Sequence, residues 1–125
     1  MDNLNEKLEG FIFVESDYLP FISLDKLGRF HISKNARRLL KVKAFDEIVL
    51  AYHSGRHELA VMPYKAAKDL AGASFARYLI DRRYYMSAKA LAKECGLIGE
   101  HHVFYYDRSS TDGSLFIFKR KPTDN

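Results

Sequence analysis

The same series of local signals is written twice along this chain: strand, tight turn, strand, Ser-led helix, hairpin, the second copy roughly 55 residues after the first. In the first copy residues 21–24 and 29–32 are apolar strand segments around the turn "DKLG", where Gly28 suits a position of positive φ. Ser33 can accept a backbone N–H at the start of a helix over 34–41, and "DEIVLAY", "HSGRH" and "ELAVM" then make a hairpin ended by Pro63. In the second copy residues 75–80 and 83–86 are the strands, Asp81-Arg82 is the turn, Ser87 is the cap of a helix over 88–95, and Gly96 stops it. "HHVFYYD", "RSSTDG" and "SLFIFK" close the chain as a hairpin. Laid over each other, "LDKLGRFHISKNA" and "IDRRYYMSAKA" keep Asp, a basic turn residue, an aromatic, Ser and Ala in step after a two-residue deletion. Two hairpins and one short helix, ~45 residues, cannot bury a core alone, so each copy needs a partner. A tandem supplies one at high effective concentration.

Composition supports a packed core: 47% of the 125 residues are apolar. No stretch reaches the ~20 apolar residues of a membrane-spanning helix, and the start is acidic, unlike a signal peptide. A single Cys points to a reducing, cytoplasmic setting. The net charge of +4 hides an asymmetry, since residues 1–17 carry −4 and the rest +8. The organisation expected is an acidic leader with a short strand at 11–14 (1–19), a first unit (20–65), a linker helix (66–74) and a second, degenerate unit (75–121).

Between Lys26 and Phe45 lie seven basic residues and no acid: Lys26, Arg29, Lys34, Arg37, Arg38, Lys41 and Lys43. Lys34, Arg37, Arg38 and Lys41 share one helix face, opposite Ala36, Leu39 and Leu40. Like charges so spaced oppose a helix by a few tenths of a kcal/mol per pair. A nucleic-acid backbone reverses that penalty, because each phosphate contact releases condensed counterions. A solvated face is the ordinary alternative, and the lack of any acid over this span favours the polyanion.

The passage "LDKLGRFHISKNARRLLKVKAFDEIVL" resembles the swapped-hairpin DNA-binding domain of the AbrB/SpoVT/MazE superfamily. Asp25, Gly28 and Arg29, the strand to Ile32, the pair Arg37-Arg38, the break at Val42 and Asp46 before a strand carry the likeness, over residues 20–65. The resemblance implies a mostly β fold with short helices, an AbrB-like swapped-hairpin β-barrel built from two ββαββ units in tandem, as in MraZ proteins. It implies Arg29, Arg37 and Arg38 as contacts to duplex DNA, gathered where a polyanion meets all three. Lys26, Lys34 and Lys41 would serve phosphates, and Arg82 and Arg83 would extend the surface. Ser33 stands where the family commonly has Pro, and the second copy keeps Asp81 without the Gly-Arg turn or the Arg-Arg pair.

Other groupings point to structure. His53 and His57 bracket a turn, His101 and His102 alternate along a strand, Cys95 lies on an apolar helix face, and "VFYYD" with "LFIF" suits a core better than base stacking. No catalytic constellation or phosphate-cradling loop is present in the sequence. The expected function is therefore that of a transcriptional regulator, cytoplasmic and nucleoid-associated, homodimeric or larger, with no cofactor and no enzymatic activity. The rival is an antitoxin or protein-interaction module of the MazE type, with the leader holding a small protein partner.

Overall fold

A computed structural model describes residues 6–7, 9–11, 19–68 and 76–120. Its strands are β1 (Phe21–Leu24), β2 (Arg29–Ile32), β3 (Glu47–His53), β4 (Glu58–Pro63), β5 (Tyr78–Leu79), β6 (Tyr85–Ser87), β7 (His102–Tyr106) and β8 (Phe116–Arg120). Helices α1 (Lys34–Leu40), α2 (Tyr64–Ala67) and α3 (Lys89–Glu94) follow β2, β4 and β6, and a 3₁₀ turn (Arg108–Ser110) precedes β8. No helix among the described residues is long and apolar enough to cross a membrane.

The strands form one antiparallel sheet in the order β5-β3-β4-β8-β7-β1-β2-β6. Its two end strands are consecutive in the chain and meet through residues 80–84, where Asp81 N–H donates to the Tyr85 carbonyl at 2.9 Å. The sheet is thus a nearly closed barrel, which leaves little edge for unwanted pairing.

The hairpins β1–β2 and β3–β4 do not pair with each other. Instead β1 pairs with β7, β2 with β6, β3 with β5 and β4 with β8, so every ladder between hairpins joins the first half of the chain to the second. The offset that carries Asp25 onto Asp81 also carries Phe30 onto Met86, and these two face each other across β2–β6. It carries the pair Ser23–Val103 onto Leu79–Glu47 as well. One offset thus relates the two Asp-led turns and these cross-half pairs.

Alternation puts Ile22, Leu24, Phe30, Ile32, Ile48, Leu59, Met86, Phe104 and Phe118 inside, all fully buried. The aromatic strands near the C-terminus thus supply core, with Phe104 and Phe118 fully buried in it. Ala36 and Leu40 of α1 and Ala92 of α3 close over this core. Ser33 starts α1 by accepting from Ala36 N–H (3.2 Å). Its hydroxyl also accepts from Phe21 N–H (3.0 Å), while its own N–H donates to the Phe21 carbonyl (3.1 Å). The cap therefore also fastens β1 to the helix.

Four readings of the sequence need correction or fall elsewhere. The turn after β5 runs through Tyr84, so the strand expected at 83–86 is Tyr85–Ser87. Ser87 caps nothing: it sits opposite Arg29 in the β2–β6 ladder, and Ala88 takes the N-cap position without a side-chain bond. The two Asp-led turns match residue for residue, so the two-residue deletion does not lie in them. Helix α2 begins at Tyr64, where the stretch "YKAAKDLAGAS" begins, and the part of the linker helix (66–74) beyond Lys68, the leader strand beyond Phe11, and residues 75 and 121 lie outside the described residues.

Because the core is shared between interleaved halves, denaturation of the chain should show one transition. Phe30→Ala should lower its stability by ~3–5 kcal/mol, the usual cost of emptying a fully buried Phe site. Urea titration followed by circular dichroism measures both. Gly28 has φ +85°, and a Cβ there would stand 2.9 Å from Lys89 Cα. Gly28→Ala should therefore cost ~1–3 kcal/mol, read from the same titration.

Candidate nucleic-acid interface

Two turns built alike organise the basic surface. In the first, Asp25 Oδ1 accepts from Leu27 and Arg29 N–H (both 2.9 Å), and the Asp25 carbonyl accepts from Gly28 N–H (3.2 Å). In the second, Asp81 Oδ1 accepts from Arg83 N–H (2.8 Å) and Tyr85 N–H (3.0 Å), and its carbonyl accepts from Tyr84 N–H (3.0 Å). Tyr84 thus holds the place of Gly28 and shares its left-handed backbone, with φ 67°. A bulky residue there costs ~1–2 kcal/mol. Part of that is returned by Arg37, whose Cζ lies 3.5 Å from the Tyr84 ring centroid, a contact worth ~0.5–2 kcal/mol.

Lys34, Arg37, Arg38, Lys41 and Lys43, with Val42 and Tyr84, line one shallow open groove, and no acidic residue lines it. Arg37 and Arg38 fall in the last turn of α1, where cations also favour the helix dipole. Lys41 ends the helix in a left-handed conformation (φ 56°), its N–H donating to the Arg38 carbonyl at 3.3 Å. Arg82 and Arg83 sit exposed on the turn beside Tyr84. Lys26 is exposed on the other Asp-led turn, outside the groove, and its carbonyl accepts from Gly99 N–H at 3.1 Å.

Arg29 is not among the groove residues, so the three arginines expected to gather on one surface do not all line it. Arg29 Nε donates to Asp25 Oδ2 at 2.7 Å, and its Cζ lies 5.3 Å from the Tyr85 ring centroid. Its charge is partly compensated within its own turn, while its side chain remains half exposed. Tyr85 also meets the His31 ring, centroids 4.6 Å apart. The adjacent tyrosines of the second half therefore hold two arginines of the first, Arg37 on Tyr84 and Arg29 on Tyr85. Sequence reasoning missed Tyr84, Tyr85 and His31. The doubled tyrosine directly after Arg82-Arg83 is the signal in the sequence that marks the first two.

No protein-family model, curated protein or solved structure matches the chain. The likeness carried by residues 20–65 thus rests on those residues alone.

Electrostatics follow the turns. Burial raises the Asp25 carboxyl, but the Arg29 backbone N–H, the Arg29 guanidinium and the Leu27 N–H outweigh it and hold the group below the usual carboxylate value. Asp81 is held low first by the Tyr85 N–H, then by the Arg83 N–H and the charges of Arg83 and Arg29, against some desolvation. Burial, then the Arg37 charge, keeps His31 below the usual imidazole value, so the site's positive charge at neutral pH comes from Arg and Lys. Among the described residues no group of three or more His, Cys, Asp or Glu side chains is placed to hold a metal ion.

Both Asp groups have folded values below their unfolded value of 3.8. Their contribution is complete above that value and disappears as pH falls through the lower folded values. Asp107, held low first by the Lys119 ammonium at 2.7 Å, acts with the same sign. The urea midpoint should therefore fall below about pH 4. Asp25→Asn should lower the midpoint at neutral pH and flatten part of that acid dependence.

Proposed function

We propose that this chain is a DNA-binding transcriptional regulator of the AbrB/MraZ-like type, folded as two ββαββ units whose hairpins interleave within one chain. The observation that carries the reading is the acid-free groove of Lys34, Arg37, Arg38, Lys41 and Lys43 beside Tyr84. Five cations converge where no carboxylate lines the groove, Asp46 standing at its edge on the Lys43 N–H (2.9 Å), and a polyanion converts their mutual repulsion into counterion release. The cross-half ladders support the interleaved arrangement, since each hairpin of one half finds its neighbours in the other.

Roles follow from how each side chain is held. Arg37, fixed by its stack on Tyr84, is suited to a directional contact with a base edge. Arg38, Lys34 and Lys41 are exposed and suited to phosphates, with Arg82 and Arg83 continuing the surface around Tyr84. Arg29 contributes through the guanidinium edge that Asp25 leaves free. Lys26 reaches a phosphate only if the DNA extends over the first Asp-led turn. Ser33 makes three hydrogen bonds that Pro could not reproduce in full. That gives a structural reason for the departure from the family pattern. The partner that each half requires is present in the same chain, so a further copy would serve to multiply the DNA surface.

Binding to random duplex DNA across a salt series tests the proposal. Affinity should fall steeply with salt, and Lys34→Ala should reduce the log–log slope by ~1 unit. The double variant Arg37→Ala, Arg38→Ala should bind random duplex DNA more weakly, with the slope reduced by ~1–2 units, and loss of the Arg37–Tyr84 stack should also lower its melting temperature, so binding is compared well below that transition. Salt-independent binding, or binding unchanged in the double variant, would overturn the reading.

A further inference from the structure

A second cluster lies at the end of the barrel beside β7 and shares no residue with the basic groove. Its members are Tyr52 on β3, His57 in the β3–β4 turn, His102 on β7 and Arg120 on β8. Arg120 N–H donates to the His57 carbonyl at 3.0 Å, and Arg120 Nη2 lies 3.0 Å from His57 Nδ1. Tyr52 Oη lies 3.3 Å from that same Nδ1. The Tyr52 ring meets Phe104 edge-on at 6.0 Å, and the His102 ring lies 6.4 Å from Phe104, which forms the shared apolar floor. Arg120 and His57 both weigh electrostatically on His102, and Arg120 on Tyr52, so the four groups sense one another.

Counting donors against acceptors shows an imbalance. A guanidinium only donates, so Nδ1 of His57 is the acceptor and neutral His57 carries its proton on Nε2. One lone pair cannot accept fully from both Arg120 and Tyr52. His102 Nε2 has no hydrogen-bond partner, although its side chain is only 9% exposed. Glu100 Oε2 stands 3.6 Å from it, beyond a hydrogen bond, on a side chain 78% exposed. Among the described residues Arg120 has no carboxylate partner, whereas the neighbouring Lys119 is occupied by Asp107 and Glu58. Buried polar groups are normally satisfied, and a donor-rich cluster around a guanidinium is completed by an acceptor bearing negative charge.

We propose that Tyr52, His57, His102 and Arg120 form a binding site for a small oxyanion, a carboxylate or phosphate group, with the Arg120 guanidinium as its principal donor. The anion takes up N–H groups of Arg120 and the Tyr52 hydroxyl, which ends their competition for His57 Nδ1. His102 supplies a further ring donor, with Phe104 beneath. The site stands whether or not the groove binds DNA.

Ring resonances of His57 and His102 in the full chain, followed by NMR, test this. Inorganic phosphate and acetate are titrated separately at fixed pH, with ionic strength held constant by chloride. Saturable shifts at both histidines are expected with at least one of the two anions. Saturation by phosphate alone identifies a phosphate site, and by acetate alone a carboxylate site. Arg120→Gln should weaken binding about tenfold or more, the loss of one charge-assisted hydrogen bond, and Tyr52→Phe by a smaller factor. If Arg120→Gln does not fold, Tyr52→Phe and His102→Gln carry the comparison. Shifts that rise linearly without saturating, that survive these substitutions, or that appear only at His31 on the basic surface would overturn the proposal.

Discussion

Pairing between the halves is the constraint on which the rest of this structure depends. Neither half contains a ladder joining its own two hairpins, so the sheet exists only when β1, β2, β3 and β4 find β7, β6, β5 and β8. Phe30 and Met86 face each other where β2 crosses β6, both fully buried. Burial of these side chains and satisfaction of the strand hydrogen bonds are achieved together, which makes the assembly cooperative.

That interleaving also constructs the basic surface. Arg37 belongs to the first half, and the ring it stacks on belongs to the second; the same holds for Arg29 and Tyr85. A flexible Arg loses less freedom on meeting a ligand when it is already held by an aromatic face. The two Asp-led turns are equivalent in backbone and unequal in chemistry. Gly28 is compelled by the close approach of Lys89, while Tyr84 accepts the same left-handed backbone and places a ring beneath a guanidinium. One backbone design is thus used for packing at one turn and for positioning charge at the other.

The oxyanion cluster at the barrel end shows a different use of the same scaffold. Adjacent β8 residues point to opposite faces, so Lys119 meets Asp107 and Glu58 while Arg120 turns toward Tyr52 and His57. Two cations side by side in the sequence thereby acquire different electrostatic surroundings. One is neutralised and the other is left facing donors.

Much of this was legible in the residues. Apolar segments bounded by turn residues placed β1–β4 and the closing hairpin, Ser33 marked the start of α1, and the acid-free run from Lys26 to Lys43 marked the basic surface. The repeated Asp-led turn was visible as a pattern because its hydrogen bonds are local, made by one side chain to backbone groups two and four residues on. What the chain alone could not reveal was non-local. Whether Arg29 is free or held by Asp25, which ring lies under Arg37, and that Ser87 sits in a ladder opposite Arg29 instead of at a cap all depend on register between distant strands. A one-residue change of register reverses every side chain on a strand, and only the packed core selects among the registers. Sequence therefore determined which elements form and where charge accumulates, while tertiary structure alone decided which charges are compensated and which remain available.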